Sequence, residues 1–115
     1  MNRRVISRGQ VYYADLQDDG TSRQSGIRPV IVCSNDIANR FSPVITVVAL
    51  TTRDGKQKHN LPTHIYIEGN GLRKSIALCE QPLTIAKSDL REYVSTLSTS
   101  TMADVDNGLR IQLAL

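Results

Sequence analysis

Arg28 is the side chain best placed for chemistry in this 115-residue chain. It stands in Gly26-Ile27-Arg28-Pro29-Val30, at the close of the polar stretch QDDGTSRQSG. Proline at 29 disfavours helical backbone at Arg28 and holds it extended, while Gly26 lets the chain turn just before it. A guanidinium presented from so stiff a junction can grip a phosphate through a planar fork of donors. It can also offset the charge of a pentavalent phosphorus transition state without a metal. A plain surface arginine beside a strand start would show the same local pattern. The second candidate is Thr51-Thr52-Arg53, where the apolar run VITVVAL ends abruptly in two hydroxyls and a charge. A hydroxyl at a strand end can donate to a phosphate oxygen, although threonines that merely open a polar loop look alike.

The two histidines titrate near neutrality and so compete for the part of general base. His64 opens an alternating segment after Leu61-Pro62 and reads either as a substrate contact or as a structural histidine. His59, in the basic stretch RDGKQKHN, reads as solvated. Cys33 and Cys79 lie inside the apolar runs PVIVC and IALC, where small buried hydrophobes belong, so both are expected to be inert core thiols. No Cys/His pairing has zinc-site spacing, and neither a metal nor another cofactor is expected.

These residues need a scaffold, and the chain length suits one domain over residues 1–115 with a single modest core. The hydrophobic fraction of 40% and charged fraction of 22% are those of a soluble globular protein. No stretch is apolar enough to span a membrane, and MNRRVISRGQ lacks the apolar segment of a secretory signal, so a cytoplasmic setting is expected. The net charge of +3 is mildly attractive to a polyanion. Its distribution says more, because Arg23, Arg53, Lys56 and Lys58 sit in two loops where a phosphate backbone could be met.

QVYYADL reads as a strand followed by a long exposed loop. PVIVCSN and VITVVALTT are near-continuous apolar runs, predicted to be central strands buried on both faces, with a polar turn or short helix in NDIANRFSP between them. THIYIE and SIALCEQ flank a Gly-rich turn at hairpin spacing, and LTIA could add a short sixth strand. From Ser98 the period changes. Ser98 or Thr99 can cap a helix in which Met102, Val105, Leu109 and Leu113 recur at helical spacing. Asp104 and Asp106 near its start and Arg110 near its end would complement the helix dipole. Gly108 within it costs about 1 kcal/mol relative to alanine. The economical architecture is a mostly β, antiparallel barrel-like sheet closed by a C-terminal helix.

Taken together, RGQVYYADL, GIRPVIVCSND, NRFSPVITVVALTT, LPTHIYI and ALCEQPLTI resemble the MazF/PemK toxin family over nearly the whole chain. The resemblance implies an SH3-like, plectonemic small barrel and a homodimer. It further implies a sequence-specific endoribonuclease that cuts single-stranded mRNA and is held inactive by a cognate MazE-like antitoxin. Any DNA binding would come only through the antitoxin complex. By motif match the family's catalytic arginine falls on Arg28 and its catalytic threonine on Thr51. Ser22, Arg23, Gln24, Asn35, Thr52, Arg53, His64 and Gln81 are then expected RNA contacts, with Tyr12, Tyr13 or Phe41 available to stack on bases, Phe41 equally as a core plug. Gln10, Arg23 and Pro82-Leu83 depart from the commoner pattern, the last two near expected RNA contacts, which unsettles transfer of any particular cleavage sequence. The rival readings are a non-catalytic, CcdB-like toxin that binds DNA gyrase, and a plain RNA-binding module without turnover.

Overall fold

A computed structural model of the chain describes residues 5–21, 24–52 and 61–115. Seven strands and two helices follow in the order β1 (Gln10–Leu16), β2 (Gly26–Val32), α1 (Asp36–Phe41), β3 (Val44–Thr52), β4 (His64–Gly69), β5 (Leu72–Leu78), β6 (Leu83–Ala86), β7 (Leu90–Thr96) and α2 (Thr99–Leu113). All strand pairs are antiparallel, in the order β4-β5-β3-β2-β1-β7, with β6 also joined to β3. This is the mostly β architecture with a terminal helix that the sequence predicts.

β3 organises the sheet. One of its edges bonds to β2 through Val47, Val48 and Ala49. The other is shared, β6 taking Val44 to Val47 and β5 taking Leu50 to Thr52. The apolar runs of β2 and β3 are continuous because each strand feeds two cores at once. Ile31, Val48 and Leu50 point to a core closed by α2, with Met102 and Val105. Val30, Val32, Val47 and Ala49 point to a second core with Tyr12, Ala14, Leu16 and Ile85. All these residues are buried.

β7 is absent from the strands expected above. Its sequence LREYVST has no clean alternation, because it pairs only with β1 in the strand order and stays half exposed, across an irregular register. α2 starts where expected, with Ser98 Oγ accepting from Thr101 N at 3.2 Å. Met102, Val105 and Leu109 pack inward, whereas Leu113 is 55% exposed. The dipole argument for its aspartates does not hold, since the first turn of α2 contains no acidic residue. Asp106 instead receives Arg8, whose Nη2 lies 2.6 Å from Oδ1. Arg8 also donates from Nε to the Cys33 carbonyl at 2.9 Å and from its backbone N–H to Asp36 Oδ1 at 2.7 Å. One side chain thus ties the start of β1, the end of β2 and both helices together. No helix among the described residues is long and apolar enough to cross a membrane.

Candidate active site

Arg28 lies in β2 opposite Ala14 of β1. Gly26 just before it has φ +83°, a conformation glycine adopts without strain, and Pro29 follows it. On the other side, β2 meets β3 in the register Val30↔Ala49 and Ile31↔Val48. Two more residues along that register bring Arg28 level with Thr51. Alternation places both side chains on one face, that of Val30, Val32, Val47 and Ala49, where the second core runs out toward solvent. Arg28 is exposed and Thr51 half-buried. The Arg28 Nε donates to the Ser25 carbonyl at 3.0 Å, which orients the group and leaves its terminal nitrogens for a ligand. No carboxylate pairs with it among the described residues. An unneutralised guanidinium beside a hydroxyl suits a phosphate diester.

A chain of hydrogen bonds fixes the loop that leads to Arg28. Gln24 donates its backbone N–H to Gln81 Oε1 at 3.2 Å, bringing these two expected contact residues together. Beside Gln81, the carboxylate of Glu80 meets His64 Nε2 at 2.9 Å and accepts from Thr63 Oγ1 at 3.2 Å. The His64 side chain is only 14% exposed, and its Nδ1 is buried without a hydrogen-bond partner. His64 is therefore held by Glu80 at the rim of the site and does not project from it. Glu80 was missed in the reading of the sequence. The available signal was an acid placed directly after the apolar strand IALC, where a charge must find a partner.

Other expected contacts fall elsewhere. Thr52 pairs with Ser75 and turns to the opposite face from Thr51. Asn35 stands at the far end of β2 from Arg28, where its Oδ1 caps α1 by accepting from Ala38 N at 2.9 Å. Ser22, Arg23 and Arg53 lie outside the described residues, as does His59. Tyr12 is not available for stacking, being buried edge-on to Tyr93 at a ring distance of 5.7 Å, with its hydroxyl donating to Gln10 Oε1. Phe41 is 82% exposed and plugs no core, and Tyr13 is 41% exposed. Cys33 and Cys79 are free, buried thiols, and burial pushes both up to about 12, as expected of inert core residues.

A twisted antiparallel sheet with an arginine and a threonine level at one end of a face defines a small β protein fitted to a phosphate-bearing chain. The family model for the PemK-like, MazF-like toxins of type II toxin-antitoxin systems matches residues 7–113. The chain is 43% identical to the Endoribonuclease MazF of Staphylococcus epidermidis, over 96% of this chain and 93% of that one. It is 44% identical to the Endoribonuclease EndoA of Bacillus subtilis (strain 168), over 96% and 97%. Among solved structures, a mycobacterial endoribonuclease in complex with its cognate antitoxin superimposes with a TM-score of 0.75 at 25% identity, over 98% of this chain and 97% of that one. The chain belongs to the PemK-like, MazF-like toxin family.

Proposed function

We propose that the chain is an endoribonuclease toxin that cuts single-stranded mRNA at a short sequence and is neutralised by a cognate MazE-like antitoxin. The observation that carries this reading is the register that brings Arg28 level with Thr51 on one open face. Two relatives above 40% identity named endoribonucleases support it as well. In the reaction, the 2′-hydroxyl beside the scissile phosphate attacks phosphorus. A 2′-O–P bond forms as the P–O5′ bond breaks, leaving a 2′,3′-cyclic phosphate and a 5′-hydroxyl. The 2′-proton passes to a base, and O5′ acquires one. Arg28 stabilises the phosphorane and holds it in line, and Thr51 donates to a non-bridging or leaving oxygen. Arginine does not serve as the base, because its pKa exceeds about 12. No cofactor takes part in these steps.

Gln24 and Gln81 line the approach to Arg28 and are assigned to RNA binding, together with Ser22, Arg23 and Arg53. His64 acts beside them through its bond to Glu80, and Asn35 and Thr52 contact RNA at the margins. The active unit is a homodimer of a single domain spanning 1–115, in the cytoplasm where mRNA is found. Exposed Ile111 and Leu115 on α2, at 52% and 86%, suit a subunit interface. The antitoxin lays an acidic, extended segment across Arg28 and competes with the RNA for its charge. That the matched mycobacterial structure holds an antitoxin supports such a partner. A gyrase-binding toxin would need no arginine fixed opposite a threonine, and the relatives' names count against that reading.

The test is incubation of the purified chain with a long single-stranded RNA in EDTA, followed by mapping of cut sites and end groups. Discrete cuts with cyclic phosphate ends are expected, and Arg28→Ala is expected to slow them by roughly 100- to 1,000-fold or more. RNA with a single 2′-deoxy substitution at the scissile nucleotide should bind and survive. Cutting of that substrate, or an unimpaired Arg28→Ala protein, would overturn the mechanism.

A further inference from the structure

We infer that the sheet face beyond Thr51 holds a subsite for a nucleotide flanking the scissile phosphate, with Tyr66 stacking on its base and Lys74 gripping its phosphate. The inference rests on the reading of the chain as an RNA-cutting toxin.

Thr51 pairs with Ile76 of β5, and Ile76 pairs with Tyr66 of β4. Directly opposed residues project from the same face, so Thr51, Ile76 and Tyr66 form one row across three strands. The β2–β3 register continues that row to Arg28. With strands about 4.8 Å apart, Tyr66 lies on the order of 10 Å from Thr51, within the stride of a single-stranded RNA crossing the sheet. The other face of β4 and β5 is taken up under α2, where Ile65, Ile67 and Ala77 pack. The Tyr66 face has no such cover. Tyr66 is 42% exposed, while Ile76 between it and Thr51 is 1% exposed and supplies an apolar floor.

Lys74 stands two residues before Ile76, hence on the same face and diagonal to Tyr66, at the cross-strand spacing where long side chains meet. It is exposed and makes no hydrogen bond or ion pair among the described residues. Glu68, further along β4, already has a partner. An exposed ring beside an unneutralised cation, in line with the reacting arginine and threonine, is the combination by which proteins track single strands. An acidic antitoxin segment would use Lys74 but gain little from the ring, so Tyr66 points to RNA.

The test is binding of a 2′-deoxy-substituted, uncleavable single-stranded RNA by fluorescence anisotropy over a salt series. The proteins compared are wild type, Tyr66→Ala, Tyr66→Phe and Lys74→Gln. Tyr66→Ala should weaken binding roughly 5- to 100-fold, and Tyr66→Phe should restore it, since the ring carries the effect. Lys74→Gln should lower the slope of log K against log salt by about 0.7, one phosphate contact on a single strand. Single-turnover cutting of saturating RNA should be unchanged in all three variants. Wild-type affinity and slope in both Tyr66→Ala and Lys74→Gln would overturn the subsite. Because this assay reads binding alone, its failure is distinct from that of the proposed reaction, which shows as absence of cutting by the wild-type protein.

Discussion

Gly108 sets how closely α2 approaches the sheet, and replacing it with alanine should destabilise the fold even though alanine is the better helix former. On propensity alone, Gly108→Ala would gain about 1 kcal/mol. A Cβ at this position, however, would lie 2.8 Å from Cys79 Sγ, 2.9 Å from Ile65 Cγ1 and 3.0 Å from Cys79 Cβ. Cys79 is fully buried and its Sγ–H donates to the Val105 carbonyl, so it has little room to move. Overpacking of a tight core costs about 1–3 kcal/mol, and three simultaneous close contacts place this case in the upper half of that range. The net expectation is a loss of about 1–2 kcal/mol, or roughly 3–6 °C in Tm for each kcal/mol in a chain of this length. Thermal unfolding followed by circular dichroism reads the effect directly. The reasoning also predicts a coupling. Removing the Cys79 sulfur with Cys79→Ala clears the closest contact, so Gly108→Ala should cost at least about 1 kcal/mol less in that background. A single Gly108→Ala variant that melts above wild type, or strictly additive effects in the double variant, would refute the close-approach argument.

Gln81→Leu removes the acceptor for the Gln24 N–H, and a buried unpaired donor costs about 1–2 kcal/mol. RNA cutting should fall roughly 5- to 30-fold in kcat/KM, with Gln81→Glu retaining more of it because an acceptor remains, and equal losses in the two would show that the loop contact is not what matters. The Arg8 backbone N–H first, and then the Asn39 side chain, hold the Asp36 carboxyl below its ordinary value of 3.8. A depressed folded-state pKa contributes stability above the unfolded value, and the contribution is lost as pH falls through the folded value. Asp36→Asn should therefore flatten the acid limb of a Tm–pH curve below about pH 4, and an unchanged limb would remove Asp36 from that account. Burial keeps Cys33 and Cys79 protonated, so neither should react with a thiol reagent near neutral pH until the chain unfolds, and labelling of native protein would contradict the packing described.

The two core strands were legible because an unbroken apolar run of that length has few alternatives to a strand buried on both sides. The start of α2 was equally plain, since Ser98 and the spacing of Met102, Val105 and Leu109 act locally. β7 was hidden because an exposed edge strand needs no alternating pattern, and its pairing with β1 is irregular. Within the site, Arg28 stood out because Pro29 and Gly26 constrain it through the chain itself. The Glu80–His64 and Gln81–Gln24 bonds join residues 16 and 57 positions apart, beyond the reach of spacing rules. Phe41 shows the opposite error: a large apolar residue invites a core reading, yet the short helix that carries it turns it outward.

The division of β3 between two partners on one edge bears on how such a toxin diversifies. Because β2 holds one side of the strand and β6 and β5 divide the other, the height of Thr51 above the core is decided by pairing within the sheet. The segments that leave the ends of β1 and β3 contribute nothing to those ladders. Lineages can then lengthen, shorten or recompose these segments, and so change which RNA sequence is cut, while inheriting the cutting chemistry intact. A change of target is a change of loop, and the sheet need not be reinvented for it.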